Sequence, residues 1–186
     1  MKTQFDIEKL VEKGSITNEL DYERAMIADR KLRLLSKESA HFKKLRKRLR
    51  DIIEEYEKSN WSDINQITEE ILIESNTAEL IADLERLFIE NRKKEIRKKL
   101  KEFNLTQENL ALLLGHKSKT HMSELINGIK PFTLKDLIVI HRLLKIDIKI
   151  LVPIFLSKED QVKIKEALKT INNPKIKLTS EGLVSC

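Results

Sequence analysis

The sequence predicts an all-α protein, with an N-terminal helical region followed by a five-helix domain that contains two short helices joined by a tight turn. Three observations predict this. Four glycines, three prolines and 5% aromatic residues in a chain of 186 are too few for the many turns of an all-β fold. Apolar residues recur at i, i+3 and i+4 along most of the chain, the spacing of one helix face. A content of 40% hydrophobic and 35% charged residues describes one ordinary domain or two small ones coated with charge.

Taken in order, the first predicted helix lies within Ile16 to Leu35, where Leu20, Ala25, Met26, Ile27, Leu32 and Leu35 recur at helical spacing and Thr17 or Asn18 supplies an N-cap. Ser36 interrupts. A second helix over Glu38 to Lys58 places Phe42, Leu45, Leu49, Ile52, Ile53 and Tyr56 on one face. Its polar residues run from Lys43, Lys44, Arg46, Lys47, Arg48 and Arg50 to Asp51, Glu54, Glu55 and Glu57. That order opposes the helix dipole, so a binding surface or an oppositely charged neighbour has to account for it. Ile64, Ile67 and Ile71 suggest a further helix, and Leu80, Ile81, Leu84, Leu87 and Phe88 another, starting near Asn76 or Thr77.

Charge divides the chain. Residues 1–90 carry sixteen Lys and Arg against twenty Asp and Glu, and residues 91–186 carry twenty against ten. An acidic half suits a basic protein and a basic half suits a polyanion. The segment 59–90 is the most acidic, with eight acids and Arg86 alone opposing them. Seven basic residues then fall between Arg92 and Lys101. The organisation is therefore expected to be a helical region over 1–91, a basic domain over 92–156, and a tail over 157–186. The tail begins with a short helix (Val162, Ile164, Leu168) and turns at Asn172-Asn173-Pro174.

Within 92–156, Ile96 and Leu100 point inward on a first helix. Thr106 caps a second, with Leu110, Ala111 and Leu114 inward and Gly115 permitting the left-handed turn that ends it. Ser118 caps a third, anchored by Met122 and Leu125 and stopped by Asn127-Gly128. Thr133 caps a fourth bearing Leu134, Leu137, Ile138, Ile140, Leu143 and Leu144, and Ile146, Ile148, Ile150 and Leu151 close the domain. Met122, Leu125, Ile138 and Leu143 are read as core. A short helix, a tight turn and a second short helix with compact polar residues outside are what a helix-turn-helix requires, because the second helix must fit a major groove about 12 Å wide.

The run Leu105-Thr106-Gln107, Leu110-Ala111, Gly115 and Ser118 to Gly128 resembles the Cro/repressor-type (XRE) helix-turn-helix. Lys119 to Lys130 followed by Thr133-Leu134 is similar to HigA-type antitoxins, and Asp21-Tyr22-Glu23-Arg24-Ala25 with Ile53-Glu54-Glu55-Tyr56-Glu57 look like the helical hairpin that precedes their DNA-binding domain. By this resemblance Gln107 donates to phosphate; Ser118, Lys119, Thr120 and Glu124 line the groove-facing start of the recognition helix; His121 meets phosphate or a base edge; Asn127 and Lys130 contact phosphate. Gly128 serves the backbone. The sequence departs from the pattern in a turn one residue longer, in Glu124 where many repressors carry Gln or Arg, and in Ile129 where Lys or Arg is common.

The resemblance implies a homodimer that reads a palindromic operator in double-stranded DNA, represses its own operon and neutralises a RelE-like mRNA-cleaving toxin. Glu69, Glu70, Glu74 and Glu79 are the candidate toxin contacts, since such toxins are basic. Two alternatives stay open: a helical interaction scaffold that no longer binds DNA, and a stand-alone repressor.

No catalytic residues are expected. His41, His116, His121 and His141 are scattered, and HExxH, GxSxG, a Gly-rich phosphate loop and CxxC are all missing from the sequence. His121 with His141 is the one pairing weighed as metal ligands. No cofactor and no metal are expected, and the single cysteine, Cys186, excludes an internal disulfide. With no apolar run near the ~18 residues of a span and no signal-like N-terminus, neither membrane insertion nor secretion is expected, and the cytoplasm is the expected location.

Overall fold

Small polar side chains at helix N-termini set out the architecture. In the computed structural model, which describes residues 4–63, 68–153 and 158–178, Asp6, Asn18, Ser39, Thr68, Thr106, Ser118 and Thr133 each accept a backbone N–H from the first turn of the helix that follows. Such a cap satisfies a donor that the helix itself leaves without a partner. Nine helices form among the described residues: α1 Ile7–Lys13, α2 Glu19–Leu35, α3 Ala40–Asn60, α4 Glu69–Glu102, α5 Gln107–Leu114, α6 Lys119–Asn127, α7 Leu134–Leu144, α8 Ile148–Leu151 and α9 Lys158–Ile171. No strand occurs among them. The fold is all-α.

α2 and α3 form a hairpin across the short link 36–39. The Tyr22 and Tyr56 rings stack with centroids 5.0 Å apart. The Tyr22 hydroxyl donates to Glu57 at 2.8 Å and the Tyr56 hydroxyl to Glu19 at 3.0 Å. Arg46 of the basic run donates to Asp29 on α2 at 2.9 Å, while Lys43, Lys44 and Lys47 stay exposed. α1, absent from the expected elements, packs Ile7, Leu10 and Val11 into a core with Ala25, Leu32, Phe42, Leu49 and Ile53. Full burial of each large aliphatic side chain contributes about 1.5–3 kcal/mol.

α4 is one helix of 34 residues. The break expected at Asn76 or Thr77 does not occur, and Asn91, the expected domain join, lies inside the helix. Asn and Thr are poor helix formers, but within an amphipathic segment their cost is a few tenths of a kcal/mol to about 0.7 each and packing outweighs it. Ala78 and Ala82 are buried on the part of α4 that packs along α2, and Ile96 and Leu100 enter a second core. Ile64 and Ile67 lie outside the described residues, and Ile71 belongs to α4.

The second core joins Ile96, Leu100, Leu110, Leu114, Met122, Leu125, Leu137, Ile140 and Leu151. Met122 and Leu125 are buried as expected. Ile138 and Leu143 are not, at 40% and 47% exposed, because α7 turns Leu137, Ile140 and Leu144 inward and the 100° step per residue carries these two to the outer face. In the tail, α9 covers the expected short helix; Cys186 lies outside the described residues.

Candidate nucleic-acid interface

α5 starts at a capping box in which Thr106 and Asn109 satisfy each other's backbone N–H. Gly115, at φ +82°, ends it. Three residues later Ser118 accepts from the His121 N–H and opens α6, which closes at Gly128 with φ +71°. Only glycine takes such angles without steric cost.

The start of α6 is open to solvent. Ser118 is exposed, Thr120 and His121 are partly so, and Lys119 leaves 82% of its side chain accessible while pairing at 3.1 Å with Glu108 on α5. Gln107 is half-buried at the first position of α5. These groups have the types and the placement that contact phosphates and base edges.

Farther along α6 the structure departs from the expectation. Glu124, expected to face the groove, is 3% exposed. His41 Nε2 from α3 lies 2.6 Å from its carboxylate, Lys130 3.2 Å and His121 Nδ1 3.2 Å. Glu8 from α1 joins the cluster, 3.1 Å from His41 and in contact with Lys130. Burial raises the Glu124 pKa, but hydrogen bonds from Glu8, His121 and Lys130 outweigh it and hold the carboxyl below its usual range. Burial, with Glu124 beside it, pushes Glu8 up despite Lys130. Lys130 pairs with both carboxylates.

Asn127, also expected at phosphate, is buried; it accepts from the Lys93 ammonium at 2.6 Å and donates to the Ser123 carbonyl at 2.8 Å. Lys130 is committed to Glu8 and Glu124 rather than free for phosphate. The N-terminal segment continues the cover: Gln4 donates to the Gly128 carbonyl at 2.7 Å, the Ile7 N–H donates to the Ile129 carbonyl at 3.1 Å, and Ile129 itself packs in the N-terminal core. Glu8, His41 and Gln4 were not foreseen as neighbours of α6. Ile129 was the available signal, since an aliphatic side chain where the family carries a cation needs an apolar place to go.

The basic helix is likewise divided. Arg92 is 1% exposed, lies over the Phe88 and Phe132 rings at 5.3 and 5.2 Å, and donates to the Leu151 carbonyl at 3.4 Å. Burial drives its pKa down to about 10. Lys98 and Lys99 pair within the helix with Glu95 and Glu102. His121 meets His116 edge-on, with ring centroids 4.9 Å apart, whereas His141 Nδ1 lies 2.7 Å from the Ile146 carbonyl, so each has a partner other than the one weighed. Among the described residues, Glu8, His41 and Glu124 are the group whose donor atoms converge, within 4.8 Å of one another. The Lys130 ammonium already pairs with both carboxylates of that group.

Residues 96–151 match the helix-turn-helix family model. This part of the chain is similar to helix-turn-helix domains. No curated protein and no solved structure matches the chain. The helix-turn-helix match spans the end of α4 through α8, and it supports a DNA-binding transcriptional regulator. No helix among the described residues is long and apolar enough to cross a membrane.

Proposed function

We propose that this regulator is the antitoxin of a type II toxin-antitoxin module, which represses its own operon as a homodimer on a palindromic operator and neutralises a RelE-like mRNA-cleaving toxin. The observation that carries the DNA part is the open N-terminal turn of α6, with Ser118, Lys119 and Thr120 accessible beside Gln107 of α5. The test is a titration of the intact protein against its own promoter DNA over a salt series. Affinity falls by about 0.9 log unit per log unit of salt for each phosphate neutralised. A flat response removes DNA binding from the account.

The toxin part is supported by the first half of α4. Ile73, Leu80, Leu84 and Leu87 are 58%, 45%, 37% and 53% exposed, and Glu69, Glu70, Glu74 and Glu79 are exposed on the same half-helix. An apolar stripe within an acidic field suits a basic partner with an apolar face. Reversing the four glutamates to lysine weakens the toxin complex and lowers its salt sensitivity; unaltered affinity places the contact elsewhere.

A second reading, a helical scaffold that has lost DNA binding, is favoured by the burial of Glu124 and Asn127 beneath the N-terminal layer. The same salt series separates it, because a scaffold has no slope.

A further inference from the structure

Between α2 and α4 runs a cleft of about 580 Å³. Cations stand on both walls, Arg30 and Lys31 on α2 and Lys93, Lys94 and Arg97 on α4, and Ile27, Leu34 and Ile89 supply apolar lining. None of the five cations has a carboxylate within ion-pair distance among the described residues. Glu90, the one acid in the lining, already pairs with Arg86 at 3.4 Å. A neighbouring cleft of about 480 Å³ shares Lys31, Lys93 and Arg97 and continues to Lys119 and Thr120 on α6.

Like charges held together in a concave, partly desolvated site repel one another more strongly than they would in open water. Lys31 registers this. Burial drives its amine down to about 8; Glu90 opposes the shift, and Lys93, Arg92 and Arg86 add to it. The lining holds six cations, Arg86 among them, against the single acid Glu90, and Glu23, Glu38 and Asp83 act on these cations without pairing with them, so the cleft keeps a net positive charge that an anion from outside balances. Both volumes fall in the range of small-molecule pockets, about 300–1,000 Å³. A DNA duplex, whose major groove alone is about 12 Å wide, needs an open face rather than two facing walls.

We propose that this cleft binds a small organic phosphate, with its phosphate groups between the α2 and α4 cations and its apolar or planar body on Ile27, Leu34 and Ile89. A ligand there touches the N-terminal layer and, through Lys93 and Arg97, the cleft that leads to the recognition helix. The site does not depend on the antitoxin reading.

Calorimetric titration of the intact protein with inorganic pyrophosphate and with ATP, at fixed ionic strength, tests the proposal. Both are expected to bind, ATP more tightly because it has a body to rest on the apolar lining. Lys31→Met and Arg97→Ala each weaken both by tenfold or more, and Lys47→Ala, on the exposed face of α3, changes neither. The proposal is overturned if neither compound binds the native protein, or if binding survives undiminished in Lys31→Met and Arg97→Ala proteins that keep native circular dichroism. It also fails if these substitutions weaken promoter binding while pyrophosphate never binds, which would assign the cations to a polynucleotide.

Discussion

Lys31 is the side chain whose surroundings have the most readable consequence. Facing it are Lys93, Arg92, Arg86 and Glu90 from α4, with Glu38 beside Lys93 and, across the second cleft, Glu108 and Lys119. Its amine, at about 8 in the folded protein, lies below the usual lysine value of about 10.4. Between those values the unfolded chain holds the proton that the folded chain has released, so this residue makes stability rise with pH across that window; below pH 8 it is charged in both states and its penalty is constant. Lys31→Met is therefore expected to be more stable than the parent at pH 7, with the advantage shrinking by pH 9.5. Denaturant midpoints at the two pH values check this, and a gap that does not narrow contradicts it. Arg92 carries the opposite lesson. In a run of cations it reads as one more solvated charge, yet it is a core residue stacked over two aromatic rings.

At the scale of the helix, two glycines separate strain from contact. Gly115 and Gly128 both hold positive φ, but a Cβ on Gly115 meets nothing within 4 Å, whereas one on Gly128 comes to 2.5 Å from Ile89 Cγ2. A left-handed L-residue costs about 1–2 kcal/mol. Gly115→Ala is expected to cost about that much, and Gly128→Ala measurably more because the Ile89 side chain must also shift, a difference that thermal or urea melts resolve. Both glycines were legible as helix stops, and so were the caps Thr106, Ser118 and Thr133, Asn18 as one of two candidates with Thr17, and the inward residues of α5 and α6, because caps and periodicity are local. α1 carried the same signals, Asp6 and Gly14 around Ile7, Leu10 and Val11, but seven residues give a period too short to stand out. The continuity of α4 across Asn76 and Thr77 was not legible either, since propensity there argues locally against what packing on α2 decides, although the lack of proline or glycine near Asn91 left room for one helix through that join. The burial of Glu124 and the pairing of Lys130 depend on His41 and Glu8, more than eighty positions away in the chain, and Asn127 meets Lys93 from α4; no spacing rule near α6 records these contacts.

Across the whole molecule, the N-terminal layer and the helix-turn-helix share one boundary, formed by Gln4, Ile7, Glu8 and His41 on one side and Glu124, Gly128, Ile129 and Lys130 on the other. If the regulator reads base pairs along all of α6, this layer has to lift. Replacing Glu8 and His41 together with alanine is then expected to raise promoter affinity and to make the segment before α2 more sensitive to protease. Unchanged or weaker affinity in a folded double variant means that the cover does not limit DNA binding.

The unbroken α4 has a mechanical consequence. At about 1.5 Å per residue its 34 residues make a shaft of roughly 50 Å, with acids and exposed leucines at one end and Ile96 and Leu100 keyed into the helix-turn-helix core at the other. With no proline and no glycine along it to act as a joint, twisting or tilting the acidic tip turns the far end with it. Whatever grips that tip has a handle on the part of the molecule built to sit against DNA.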